Sequence, residues 1–150
     1  MAQQKVRLKI PDDYSPEERD EFATAVCDFI RARTERGEGV KNGRLYDFPK
    51  YSPGYAASLD FKIAGKSKGK VNLRLSDEMM TDLQPLRHGR GWVEVGYEKG
   101  SESNDKAEGN QLGTYGQDEP IKGGKYVRRF VDMTTAELRA LVASYERERA

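Results

Sequence analysis

The segment SPEERDEFATAVCDFI, residues 15–30, predicts the first main helix of this chain. Ser15 can cap the helix with its hydroxyl group, Pro16 suits the first helical position, and Glu18 completes a capping box. Apolar residues then recur at helical spacing on one face: Phe22, Ala25, Val26, Phe29 and Ile30. Charged residues fall on the other faces: Asp20, Glu21, Asp28, Arg31 and Arg33. We expect the apolar face to lie in the core, because amphipathic helices bury their apolar stripe.

Before this helix, residues 5–10 alternate Lys5, Arg7 and Lys9 with three aliphatic residues. A period of two predicts a strand with one buried face and one basic face. Two positions are open to this strand. It can form the edge of a sheet, where its charges prevent aggregation, or it can dock on a neighbouring subunit. We favour the edge of the sheet.

A second capping box at residues 134–137 opens the second main helix, whose apolar face is Leu138, Leu141, Val142 and Tyr145. Residues 58–63 and 71–75 predict a hairpin, residues 76–83 a short helix that Pro85 and Gly89 curtail, and residues 91–97 another strand. This order of elements predicts an α+β fold in one domain, residues 1–150. We expect a small, mostly antiparallel sheet that packs against the two main helices.

Two segments interrupt the periodic pattern. Residues 45–55 concentrate aromatic residues and prolines, which predicts an extended arm that packs on its own domain or reaches a partner. Residues 98–124 predict a long polar loop with a helical turn at 101–108, and loops of this length are usually functional. Its glycines at 109, 113 and 116 favour positive φ values, so we expect this part to lie outside the core and contact another chain.

The composition excludes several classes of protein. The chain has 26 Lys and Arg against 25 Asp and Glu, so no global field would attract nucleic acid or an anionic membrane. The single cysteine, Cys27, excludes an internal disulfide and fits a small buried hydrophobe. No segment reaches the roughly 20 apolar residues of a transmembrane helix, and the amino terminus lacks the apolar run of a signal peptide. We expect a product made in the cytosol with no membrane contact.

The side chains that catalysis or metal binding would need do not occur together. His88 is the only histidine and lies between Arg87 and Arg90. Zinc sites need several Cys or His ligands, and a Ser or Cys nucleophile needs a base in a suitable context. We therefore predict no catalytic residue, no metal, no cofactor and no enzymatic activity.

Binding of nucleic acid is an alternative function. Basic residues occur in three groups, Lys5 to Lys9, Lys66 to Lys70 and Arg87 to Arg90, and tyrosines at 46, 51 and 55 could stack on bases. Such a surface would neutralise phosphates and bind with a steep salt dependence. A second alternative is a small regulatory protein that binds one partner through the glycine loop.

The order of motifs over residues 45–145 resembles the bacteriophage tail completion and virion morphogenesis proteins, which act at the junction of head and tail. The series begins with a Pro/Tyr segment at 48–56, a hairpin and short helix at 71–83, and a strand ending in glycine at 92–96. It continues with the polar glycine loop at 109–114, an Arg-Phe stretch at 128–130 and the capped helix from 134.

The resemblance implies a non-enzymatic virion protein, a ring-forming tail completion, terminator or neck subunit that joins the tail to the head connector. It implies a homo-oligomeric ring, sixfold or twelvefold, in contact with neighbouring neck, connector and tail tube proteins and, non-specifically, with packaged DNA. Terminator, stopper and adaptor positions remain open. The protein would be made in the host cytoplasm and end in the virion.

Candidate contact residues follow from these patterns. The predicted subunit contacts are Asn110, Gln111, Gly113, Thr114, Tyr115, Gly116, Arg128, Arg129, Tyr51, Tyr55, Lys5 and Arg7. The predicted DNA-channel residues are Lys66, Lys68 and Lys70.

Overall fold

The computed structural model describes residues 2–49, 77–115, 117–124 and 126–149. The first half contains β1 (Lys5–Lys9), α1 (Pro16–Glu35), β2 (Glu38–Lys41) and β3 (Arg44–Asp47). The second half contains α2 (Asp77–Thr81), β4 (Gln84–Gly89), β5 (Trp92–Gly96), α3 (Glu102–Leu112), a 3-10 helix (Ile121–Gly124) and α4 (Thr135–Arg149). The predicted α+β class is confirmed. The predicted hairpin at 58–63 and 71–75, and residues 50–55 of the predicted arm, lie outside the described ranges.

Helix α1 begins at the predicted capping box. The Ser15 hydroxyl accepts from the Glu18 N–H at 3.2 Å, and the Glu18 carboxylate accepts from the Ser15 N–H at 2.8 Å. Phe22, Val26 and Ile30 are fully buried, as the apolar spacing predicts. Arg33 was predicted to lie away from the apolar face, but it is also fully buried.

Strands β1, β5 and β4 form an antiparallel sheet with β5 in the centre. The β1–β5 register runs from Lys5 opposite Gly96 to Lys9 opposite Trp92. Strand β1 is therefore an edge among the strands that the structure describes, the position favoured from its charges. Strand β4 was not predicted, because Pro85 indicated a break. Proline is tolerated there since β4 is the other edge among the described strands, and its pairing is irregular between Pro85 and Arg87.

Strands β2 and β3 form a separate hairpin, so residues 45–47 of the predicted arm belong to a strand. The hairpin turns at Asn42 and Gly43, whose φ values are 54° and 74°. Positive φ at both positions is the geometry that favours an Asn-Gly pair in two-residue hairpins. The Asn-Gly dipeptide could have predicted this hairpin. The strands on either side of it alternate only weakly, so the pattern did not indicate them.

The core lies between the sheet and two antiparallel helices, α1 and α4. At one end the rings of Tyr14, Phe22 and Tyr145 meet, with Phe22 and Tyr145 in an edge-to-face contact at 5.5 Å between centroids. At the other end Arg33, near the end of α1, pairs with Glu137, near the start of α4. Contacts at both ends fix the alignment of the two helices.

The helical turn predicted at 101–108 is confirmed, and the helix extends further. Residues 102–112 form α3, so the prediction of a long loop at 98–124 is wrong for residues 109–112. Ser101 caps this helix by accepting from the Asn104 N–H at 3.1 Å, and Gly113 ends it in the left-handed conformation. The helix lacks an apolar stripe, because polar contacts rather than apolar ones hold it against the rest of the chain. Fully buried Asn104 accepts from the Gln4 N–H at 2.7 Å and donates to the Ala2 carbonyl at 3.1 Å.

Candidate assembly surface

The described part of the predicted glycine segment, residues 109–115, packs largely against its own chain. Asn110 is buried, and its carbonyl accepts from the Arg128 N–H at 2.7 Å. The Gln111 side-chain oxygen accepts from the N–H groups of Phe130 at 2.8 Å and Val131 at 3.1 Å. These groups connect the end of α3 to the segment before α4, so they contribute to the fold of the monomer.

Gly113 occupies a tight position at the end of α3. Its φ is +73°, and a Cβ atom added there would lie 2.8 Å from Val127 Cγ2. The expectation that this part of the chain lies outside the core is therefore wrong at Gly113. A glycine is required here by both backbone conformation and packing.

Tyr115 and Arg128 form a second internal contact. The Tyr115 hydroxyl donates to the Tyr126 carbonyl at 2.6 Å and accepts from Arg128 Nη1. Arg128 is buried, whereas the neighbouring Arg129 side chain is exposed.

Of the predicted subunit contacts, three present exposed side chains in the described ranges: Lys5, Arg7 and Arg129. The following predicted residues lie outside those ranges: Tyr51, Tyr55, Lys66, Lys68, Lys70 and Gly116.

The outer face of the sheet carries a cluster of cations around Glu94. Glu94 on β5 lies directly opposite Arg7 on β1 and Arg87 on β4. Its carboxylate is 3.4 Å from Lys5 Nζ, 3.3 Å from Arg7 Nη2 and 3.2 Å from Arg87 Nε, and the side chain is 4% exposed. Two basic groups that are distant in the sequence, Lys5 to Lys9 and Arg87 to Arg90, therefore lie on the same face of the sheet.

Electrostatics keep Glu94 ionised in this cluster. Burial alone would raise its pKa, but hydrogen bonds and charge from Arg87 and Lys5 outweigh burial and hold the pKa below its usual range. Three cations surround the carboxylate, and Lys9 lies further along the same face of β1, opposite Trp92. These four cations and Glu94 together have a net charge of +3.

Trp92 extends the cluster along β5. The Arg7 guanidinium lies over its indole ring, 3.8 Å from the centroid. Stacking of this kind attracts the cation to the ring face and fixes the arginine side chain. Arg7 is therefore held between Glu94 and Trp92 with its outer side exposed.

The side of β1 that faces away from β5 is called its free edge below. The Ile10 N–H donates to the Gly91 carbonyl, and the Gln4 carbonyl accepts from the Tyr97 N–H, both at 3.0 Å. Because antiparallel strands alternate the direction of their backbone groups, the N–H and C=O groups of residues 5, 7 and 9 point away from β5. No other strand in the described part of the chain pairs with them.

A groove of about 370 Å³ lies between Lys9 at the end of β1 and helix α4. Its lining is mostly apolar and comes from Lys9, Thr135, Leu138, Arg139, Val142, Ala143 and Glu146. Of the four apolar residues predicted to form the buried face of α4, only Tyr145 is buried. Leu138, Leu141 and Val142 contact the core but remain half-buried.

Within the described ranges, no group of three or more His, Cys, Asp or Glu side chains is placed to hold a metal ion. None of the helices described is long and apolar enough to cross a membrane.

Two important residues were missed by the sequence analysis. Glu94 takes the polar position between Val93 and Val95 in an alternating strand, which predicts an exposed carboxylate. Its burial depends on cations from two other strands. Asn104 follows Ser101 at the spacing of a helix cap, and this spacing was a usable signal for α3.

Comparison with known proteins found no matching family model, no similar curated protein and no similar solved structure. The resemblance to phage neck proteins therefore depends on the order of motifs alone.

Proposed function

We propose that this chain is a non-enzymatic structural subunit of a tailed-phage virion, which forms a ring at the junction of head and tail. The order of motifs over residues 45–145 supports the phage family, and one structural observation supports an assembly role. That observation is the incompletely covered apolar face of α4, at Leu138, Leu141 and Val142.

Helices in small proteins gain most of their stability by burying an apolar face. Helix α4 has 15 residues, yet only one of them is buried within the chain. Each Å² of apolar surface that a neighbour covers would contribute about 25 cal/mol. A neighbouring subunit that covers the groove would complete the burial of α4. An incompletely buried helix of this kind is expected in a protein that functions within an assembly.

The mass of the purified chain in solution, measured by light scattering across concentration, tests the ring. We expect a closed oligomer whose symmetry particle imaging would show. Ala143→Glu places a charge in the groove and should shift the mass towards the monomer. Ala140→Glu is the matched control, because Ala140 is also exposed on α4 but does not line the groove. A chain that stays monomeric at every concentration would overturn self-assembly into a ring.

Nucleic-acid binding is the second candidate, favoured by the cations that surround Glu94 beside Trp92. This reading predicts that the monomer binds single-stranded DNA with an affinity that falls steeply as salt increases. Fluorescence anisotropy with a labelled oligonucleotide would measure the affinity and its salt slope. Salt-independent or undetectable binding would exclude this candidate.

A further inference from the structure

We propose that the free edge of β1 and the α4 groove together bind an extended segment of a neighbouring protein, in which acidic and apolar residues alternate. The segment would add to the sheet as a strand beside β1. This inference rests on the proposed assembly role and names the chemistry of the partner.

Backbone groups provide the first part of the site. Residues 5, 7 and 9 direct their N–H and C=O groups away from β5. A strand that pairs with this edge would satisfy them, which is how extended peptides bind to sheet edges in strand addition. The five residues of β1 are sufficient to align a short segment.

The apolar groove provides the second part and requires alternation in the partner. Successive side chains of a strand point to opposite faces of the sheet. On the inner face, which buried Leu8 shares, every second side chain of the added strand would approach Leu138 and Val142 at the groove. These positions of the partner should therefore be apolar.

Charge determines the other positions of the partner. On the outer face the added side chains would lie beside Lys5, Arg7 and Lys9, and opposite charges across neighbouring strands are stabilising. Glu94 neutralises only part of the local charge. The outward residues of the partner should therefore be Asp or Glu.

The same charges select against a second copy of β1 as the occupant. Two β1 strands paired edge to edge would place their Lys and Arg side chains beside one another, and such repulsion is a common protection against self-pairing. Protection of the edge alone would not require an apolar groove next to it. The combination of a cationic edge with the groove favours an acidic segment of the neighbouring protein that is unlike β1.

Fluorescence anisotropy with two synthetic peptides tests this site on the purified full-length chain. One fluorescein-labelled probe alternates Glu and Val, and the other alternates Lys and Val. We expect the Glu-Val probe to bind at least about tenfold more tightly, because charge complementarity sets the specificity of such contacts. A Glu-Val probe with N-methylated backbone amides should lose binding, and this comparison leaves the protein unchanged.

Variants of the chain separate the two parts of the site. Arg7→Gln should weaken binding of the Glu-Val probe at the edge, and Ala143→Glu should weaken it in the groove, each by about tenfold. Arg44→Gln is the matched control for Arg7→Gln, because Arg44 is an exposed arginine on β3 of the other sheet. Circular dichroism would verify that each variant folds.

Four outcomes would overturn the inference. These are no binding of the Glu-Val probe, equal binding of both probes, unchanged binding of the N-methylated probe, and binding of single-stranded DNA in place of the peptide. A ring observed by light scattering without any peptide binding would retain the assembly role and reject this partner. Peptide binding by a strict monomer would reject the ring but retain the edge site.

Discussion

Arg33 and Glu137, which are 104 residues apart in the chain, form an ion pair at 2.8 Å. Arg33 is fully buried, and its second terminal nitrogen donates to the Phe130 carbonyl at 2.7 Å. Glu137 also accepts from the Thr134 N–H at 2.9 Å, so the same carboxylate caps α4. One residue thus fixes both where α4 begins and how it lies against α1.

Removing the charge of Glu137 should destabilise the fold strongly, because buried Arg33 would lose its ion-pair partner and keep only the charge of Asp132 in its surroundings. We expect Glu137→Gln to lower the free energy of unfolding by about 3 to 5 kcal/mol. Glutamine can still accept from the Thr134 N–H, so Glu137→Ala should cost roughly 1 kcal/mol more through loss of the cap. Urea unfolding measures the free energy of unfolding of both variants. An unchanged value for Glu137→Gln would contradict a structural role for the pair.

The two ends of this pair show what the sequence could predict. The cap at residues 134–137 is local, and four neighbouring residues suffice to predict it. Arg33 was predicted to lie away from the apolar face, because an isolated helix gives no reason to bury a cation. Its burial depends on a carboxylate that only the tertiary fold brings close.

Burial along α1 predicts a difference between two phenylalanines. Phe22 is fully buried, whereas Phe29 is half-buried. Phe22→Ala should lower the free energy of unfolding by about 3 to 5 kcal/mol. Phe29→Ala should cost roughly 1 to 2 kcal/mol, since less apolar surface leaves the core. Equal losses in denaturant unfolding would show that the two sites are packed alike.

Gly113 should tolerate substitution poorly, and Gly100 provides the control. Both have positive φ, +73° and +79°, but only at Gly113 would a Cβ meet a neighbour, Val127 Cγ2 at 2.8 Å. Gly100→Ala should cost about 1 kcal/mol from backbone strain alone. Gly113→Ala should cost roughly 2 to 4 kcal/mol because crowding adds to the strain. Thermal unfolding of the two variants compares them directly.

The candidate site was predictable in its residue types but not in their arrangement. The cations of β1 and the apolar face of α4 follow from local periodicity. Their position around a groove depends on α4 packing antiparallel to α1, which the contacts of Arg33 and Tyr145 determine. The glycine segment was predicted as an exposed contact, because local sequence cannot show that its polar groups form hydrogen bonds with residues 128–131.

Cys27 should react slowly with thiol reagents in the native state. Burial raises the pKa of its thiol to about 12, with a smaller opposing effect from Arg31. The reactive thiolate is therefore scarce at about pH 8, and the side chain is also inaccessible. Ellman's reagent should modify Cys27 quickly only in denaturant. Rapid native modification would show that α1 opens locally.

Glu94 should make the stability of the fold depend on acid pH. Its folded-state pKa is depressed, so its contribution is fully present above the ordinary glutamate value of 4.5 and decreases as the pH falls through the folded value. We expect Glu94→Gln to destabilise the native state by about 1 kcal/mol at neutral pH, since the partner cations are partly exposed and screened.

The same variant should change the slope of stability against pH. Glutamine cannot take up a proton, so the difference between Glu94→Gln and the unmodified chain should narrow as the pH falls below 4.5. Glu102→Gln is the matched control, because Glu102 pairs with Lys106 at 3.5 Å on the exposed side of α3 and should contribute little. Urea unfolding across acid pH measures all three chains. A difference that stays constant with pH would show that Glu94 acts through packing, because only an ionised carboxylate can lose its cation contacts on protonation.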